Sequence, residues 1–306
     1  MIRSMELINF ESDDIFKEQL SDALNKKNEV VLEKNSSKYN CLKTDFYENK
    51  HEDLKKMLYK WQNSFENIVV VGTGGSNLGS QAIISANLQN ESSPIPIYLD
   101  NLNSNYLKKI IDKISPHKTG FIIISKSGNT IEVISQFLVL LEMVEGVLGE
   151  EKSKTHFIVI TSNNDSALRK ISVRKKMIIV DHDAHISGRF SVLSCVGWVP
   201  ALAVGVDFEK ILNGAMNVYN NLANNSSLPV SGSAFMSTLN KQNTSINVMA
   251  TYDPRLKTFC DWHRQLWSES LAKNNSGMIS TTSLMPVDQH SQLQAWLDGP
   301  KDKIIN

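Results

Sequence analysis

The stretch Ser125-Lys-Ser-Gly-Asn-Thr130 sets three hydroxyls, a lysine and a glycine between two apolar patterns. Phe121–Ile124 precedes it as an unalternating apolar run, as in a strand buried on both faces of a parallel sheet. Val133, Ile134, Phe137, Leu138 and Leu141 follow at helical spacing. A loop between a strand's carboxyl end and a helix N-terminus offers free N–H groups and a favourable dipole to an anion, and hydroxyls add donors. Phosphate suits that chemistry. An ordinary βα turn capped by Asn or Thr has the same composition. The loop matches neither Walker A nor G-x-G-x-x-G, so it does not specify a nucleotide.

Other residues could act on what such a loop holds. Gln265 and Glu269 lie four apart beside Leu266, Trp267 and Leu271, on one face of a helix. A half-buried carboxylate against that apolar wall could serve as a base, although a solvated helix face has the same pattern. Arg189 follows Ser187-Gly188, where a structural arginine fits as well as a functional one. His290 stands in Asp288-Gln-His-Ser-Gln292, read as a loop leading into Leu293–Leu297, and a lone histidine is usually structural. Gly72-Thr-Gly-Gly-Ser-Asn-Leu-Gly79 is a turn that lets a ligand approach the backbone. Its spacing departs from a dinucleotide fingerprint, and Asp100 alone could meet a ribose. Asp181-His-Asp-Ala-His185 has two histidines with no further His or Cys nearby, which disfavours a metal.

Positioning these residues requires strands alternating with helices. Strands are expected at Ile68–Gly72, Ile95–Leu99, Gly120–Ser125, His156–Thr161 and Met177–Val180, with helices over Tyr106–Ile114, Ile131–Val147 and Ser166–Arg174 between them. The alternation predicts an α/β fold with a three-layer, doubly wound parallel sheet. Ligands of such sheets lie beyond the strands' carboxyl ends, where both Gly/Ser loops fall. Phe190–Val204 reads as one apolar, helix-length segment, followed by helices over Phe208–Leu222 and Val230–Asn240. A strand over Ile246–Thr251 and a helix over Pro254–Ala272 open a second, incomplete α/β unit, with Ile304-Ile305 as a further strand beginning. The expected division is an irregular N-terminal arm over 1–50, a first domain over 51–195 and a partial second domain over 196–306.

Composition excludes several classes of partner. With 32 Lys+Arg against 32 Asp+Glu, net charge gives no reason to expect nucleic acid or an anionic membrane. Cys41, Cys195 and Cys260 are too scattered for a disulfide or metal spacing. Glu11, Asp13, Asp14 and Lys17 interrupt any leader-like apolar stretch, and no run reaches the length of a membrane span. A cytoplasmic location is expected.

Taken together, these stretches resemble the phosphoglucose isomerase family. The glycine turn 72–79 is similar to the family's first glycine turn. Ser125–Thr130 resembles its phosphate loop, with Gly128-Asn129 in place of a more usual Phe-Thr pair. Ser187-Gly-Arg-Phe-Ser-Val-Leu-Ser194 resembles its G-G-R-[FY]-S signature, with Ser first. Gln265–Lys273 resembles the segment bearing the catalytic glutamate, and Asp288–Gln294 the bacterial segment bearing the ring-opening histidine. The resemblance implies two sugar-isomerase (SIS) α/β units interconverting glucose 6-phosphate and fructose 6-phosphate, in glycolysis and gluconeogenesis, without metal or other cofactor. It implies a homodimer whose site is shared between subunits. By it Ser125, Ser127 and Thr130, with the Lys126 backbone, hold the phosphate, and Gly75 and Ser76 line the sugar. Arg189 with Gly188 stabilises the enediolate, Gln265 positions the substrate, Glu269 is the base and His290 opens the ring. The family continues to a C-terminal segment with a further Lys and Gln. Its lack of a counterpart here leads to the expectation of a fragment with weak turnover, and to the alternative of a non-catalytic sugar-phosphate-binding protein.

Overall fold

The computed structural model describes residues 13–33, 36–42, 51–87, 93–222 and 228–306. Five parallel strands, β1 (Asn67–Val71), β2 (Ile95–Leu99), β3 (Thr119–Ile124), β4 (Phe157–Thr161) and β5 (Ile178–Asp181), pair in the order β2-β1-β3-β4-β5. Strand order therefore reverses between β1 and β3. Every residue of β3 and β4 is buried, and the two faces of β3 explain why its sequence does not alternate. Ile122 and Ile124 join one apolar cluster, with Leu58 and Trp61 of α2 (Glu52–Ser64) and Ile84 of α3 (Leu78–Ala86). Phe121 and Ile123 join the opposite cluster, and helices pack over both faces.

That opposite face carries α4 (Ser104–Ile111), α5 (Ile131–Leu148), a short α6 (Glu150–Ser153) and α7 (Ala167–Arg174). Val133, Phe137, Leu140, Leu141 and Val144 form the inward stripe of α5, and Phe137 meets the Phe157 ring edge-on. Phe157 in turn stacks on Phe121, with centroids 4.9 Å apart.

The apolar segment Phe190–Val204 is not one helix. A 3-10 turn at Gly188–Leu193 precedes α8 (Cys195–Ala203), because Ser194 breaks the path with extended backbone and caps α8 through its side chain. Every residue of α8 is buried, packing α8 into the first sheet's core.

Helices α9 (Phe208–Leu222) and α10 (Leu228–Lys241) lead to the second sheet. There β6 (Ile246–Thr251) is central, flanked in parallel by β7 (Ile279–Leu284) and β8 (Lys303–Ile305). The expected helix over Pro254–Ala272 is a 3-10 turn followed by α11 (Lys257–Leu271), and α12 (Val287–Leu297) follows β7. Among the expected arm residues that are described, Asp14–Leu32 forms α1, a 19-residue helix capped by Asp13. It packs against α10, where Ser237 Oγ donates to Gln19 Oε1 (2.6 Å) and Lys241 pairs with Glu18 (3.1 Å). Its helix signal is weak because the buried positions include Gln19 and Lys27 among few apolar residues. Apart from 13–33 and 36–42, residues 1–50 lie outside the described residues. Among the described residues no helix is long and apolar enough to cross a membrane.

Candidate functional site

Both Gly/Ser loops leave the first sheet at its reversal point, after β1 and β3. The glycine loop turns through a 3-10 turn at Gly74–Ser76, held from below by Asn77 Nδ2 donating to Gly72 O (2.8 Å). Gly75 is a required glycine. A Cβ there would lie 2.3 Å from the Gly188 carbonyl carbon and 2.7 Å from the Arg189 nitrogen. Ser191 Oγ, within hydrogen-bond reach of both Gly75 O (3.1 Å) and Gly188 O (2.7 Å), fastens that contact. The two signature turns thus lie backbone to backbone.

The expected phosphate loop is shaped by its own hydroxyls. Ser125 Oγ and Thr130 Oγ1 are 3.0 Å apart, and Ser127 Oγ lies 3.4 Å from Thr130 Oγ1. Ser125 is buried and its Oγ accepts from Gly128 N (3.1 Å), so it shapes the turn. Ser127 and Thr130 face a cleft of about 630 Å³ that Thr73, Ser76, Ser162 and His182 also line. Gly128 takes φ +66°, and a Cβ would strike Ser166 Oγ at 2.1 Å, so a side chain here is excluded on both counts. Thr130 is the N-cap of α5 and makes no side-chain cap bond, which leaves N–H groups of that terminus open to an anion. Lys126 departs from the backbone-only expectation. Its ammonium donates to Ala184 O and Ile186 O, each at 2.8 Å.

On the other side of the glycine turn stands α11. Gln265 Nε2 donates to Glu269 Oε1 (2.7 Å), and that amide nitrogen lies 3.0 Å from where a Gly74 Cβ would be. Gln265 Oε1 is buried without a hydrogen-bond partner among the described residues. Arg189 Nε donates to Ser270 Oγ (3.0 Å) and Nη1 to Ser187 Oγ (3.1 Å), while its guanidinium covers the Phe190 ring at 4.5 Å. Nη1 reaches Glu269 Oε2 at 3.5 Å. The Glu269 side chain is 47% exposed, so its surroundings are polar donors and solvent rather than the apolar wall expected. An exposed pair of this length contributes at most about 1 kcal/mol, so a ligand can displace either partner.

His290 is not on a loop. It lies in the first turn of α12, which begins after Pro286 and is set by Asp288 Oδ2 accepting from Leu284 N (2.7 Å). The start of β7 is pinned beside α11, where Trp267 Nε1 donates to Met278 O (2.9 Å). From there six strand residues carry the chain about 20 Å to the far end of the sheet. His290 is exposed there, about a strand's length from the end at which Trp267 meets Met278.

Ser162 and Asn164 are cleft residues outside every motif, and Thr73 and His182, which lie in the glycine turn and in Asp181–His185, were not assigned to the cleft. They follow the carboxyl ends of β1, β4 and β5, and that position was the available signal. Ser270 was also missed; it fixes Arg189 from the residue next to Glu269. Burial holds the His182 imidazole below its ordinary value, and the nearby Lys126 ammonium adds to this. Among the described residues no group of three His, Cys, Asp or Glu side chains could hold a metal.

A family model for phosphoglucose isomerase matches residues 51–287. The glucose-6-phosphate isomerase of Methanocaldococcus jannaschii is 35% identical over 261 residues, covering 83% of this chain and 62% of that protein. The probable glucose-6-phosphate isomerase of Methanococcus maripaludis is 34% identical over 257 residues, 81% of this chain and 57% of that protein. The crystal structure of a hypothetical protein of Thermus thermophilus superposes with a TM-score of 0.83 at 29% identity, covering 95% of this chain and 72% of that one. The chain therefore spans about three-fifths of the length of the two named relatives.

Proposed function

The chain belongs to the phosphoglucose isomerase family, and from that premise we propose that it interconverts glucose 6-phosphate and fructose 6-phosphate through an enediolate. The observation that carries this is the glycine turn at Gly74–Ser76. It lines the hydroxyl-rich cleft through Ser76, meets Gln265 through Gly74 and packs on Gly188-Arg189 through Gly75. One short turn joins an anion-binding loop to a carboxylate and a guanidinium.

The chemistry follows from those groups. Ser127, Thr130 and the amides opening α5 hold the phosphate, which does not react; its binding energy fixes the sugar in register. Glu269 takes the C2 proton and returns it to C1, so one carboxylate on one face suffices. The displaced Arg189 then faces the oxygen on which negative charge develops, and Ser187 and Ser270 hold it at that angle. Gln265 helps position the substrate by steadying Glu269 through its amide. His290, about 20 Å of strand away, serves ring opening in the site of a second copy, which makes the active unit a homodimer. A cytoplasmic supply of both sugar phosphates suits this role.

Incubation of the purified chain with fructose 6-phosphate, with both sugar phosphates measured in quenched samples, tests the proposal. Glucose 6-phosphate should accumulate towards the same ratio reached from the reverse direction. Tight sugar-phosphate binding without conversion would assign a binding function instead.

A further inference from the structure

Lys126 sits inside the phosphate loop, yet its side chain serves a different segment. Its carbonyl accepts from Ser162 N (3.1 Å), and the preceding Ser125 N donates to Ile160 O (3.0 Å), so its backbone is an extension of the first sheet. From that fixed base the ammonium reaches Ala184 O and Ile186 O, both at 2.8 Å. An ammonium has three donors and no acceptor. Two are committed to these carbonyls, which leaves one for the cleft.

The clamped segment is the one that delivers Arg189. Ser187 follows Ile186 directly, and its Oγ accepts from Arg189 Nη1 (3.1 Å). The next residue, Gly188, packs on Gly75. An unbroken path thus runs from the phosphate loop through the Lys126 ammonium, the Ile186 carbonyl and the Ser187 hydroxyl to the guanidinium. We propose that Lys126 is a positioning residue that couples the phosphate loop to the turn carrying Arg189, setting the guanidinium for the enediolate. This rests on the function proposed above and adds a role for the lysine side chain. A lysine whose charge served only the phosphate would aim its donors at the cleft. Here two of the three are satisfied by neutral carbonyls of another loop.

Calorimetric titration of the full chain with inorganic phosphate and with 6-phosphogluconate, whose carboxylate offers Arg189 a negative charge at the reacting end, separates the two roles. In Lys126→Met, inorganic phosphate should bind within about threefold of wild type, which also reports an intact fold, while 6-phosphogluconate weakens about tenfold or more. Lys126→Arg can donate to both carbonyls and should restore 6-phosphogluconate binding to within about threefold of wild type. Adding Lys126→Met to Arg189→Ala should cost little beyond Arg189→Ala alone, because both act through one guanidinium. Equal weakening of phosphate and 6-phosphogluconate would make Lys126 a phosphate ligand and overturn the inference, as would full additivity with Arg189→Ala. If the wild-type chain binds neither ligand, the functional reading fails first, and the inference fails with it.

Discussion

The two sheets of this molecule are built to different standards. In the five-stranded sheet β3 and β4 bury every residue and apolar clusters cover both faces. In the three-stranded sheet β7 mixes exposed and buried positions, and Ile279 is 67% exposed. The proposed phosphate loop rises from the first sheet, whereas Glu269 and His290 belong to the second. Under the proposed function the phosphate is therefore gripped by the part with the larger core. Glu269, the proposed base, stands on α11, which packs against α3 and β7. Under the proposed function, the part that only holds rests on a buried sheet, and the part that exchanges partners keeps weak contacts such as Arg189–Glu269.

Changes on the two sides should therefore differ in kind. Ser127→Asp sets a carboxylate against the bound phosphate, and like-charge contact of this sort costs several kcal/mol. Sugar-phosphate affinity should fall by about 100-fold or more in calorimetry with the thermal midpoint little changed; retained affinity would place the phosphate elsewhere. Phe137→Ala empties the centre of the first core and should cost about 3–5 kcal/mol in denaturant unfolding. Val248→Ala, in the central strand of the second sheet, removes less and should cost about 1.5–3 kcal/mol. Equal losses would erase the distinction between the sheets. Native-state hydrogen exchange sharpens the same point: amides of β6 should exchange faster than those of β3, because less buried apolar surface protects them.

The smallest expected effect is on acid stability. Burial is the leading cause that holds His156 and His182, both in the first unit, below their ordinary value of 6.5. The unfolded chain takes up those protons first, so stability is full above about pH 6.5 and declines as pH falls towards the depressed folded values. Substituting both by Gln should flatten that part of the stability–pH curve; an unchanged slope would remove these histidines as the cause.

How much of this was legible depended on burial. Strands with both faces covered announce themselves as apolar runs, and Phe121–Ile124 did so. β7, Ile279-Ser-Thr-Thr-Ser-Leu284, did not, because its two buried residues, Ser280 and Ser283, are polar and its apolar Ile279 is exposed. The β-branched threonines were its usable signal. α1 escaped notice for the same reason, its inward stripe including Gln19 and Lys27. Pro286 with Asp288 two residues on was a helix-start signal for α12, and it moved His290 off the expected loop. In the site, residue types and order identified the phosphate loop, Arg189, Gln265 and Glu269 as candidates. The Lys126 bonds to Ala184 and Ile186 were not legible, because nothing local in sequence says which distant carbonyl a lysine will reach.

The account turns on Glu269 acting as the base beside a phosphate held by Ser127 and Thr130. Glu269→Gln keeps the shape and a hydrogen-bond acceptor while removing proton-accepting power. The direct measurement is exchange of the C2 hydrogen of glucose 6-phosphate with heavy water, followed by proton resonance at saturating substrate. In the variant exchange should fall by about 100-fold or more, while sugar-phosphate binding stays within about threefold of wild type. Exchange at the wild-type rate in Glu269→Gln would contradict the account and assign the proton to another group.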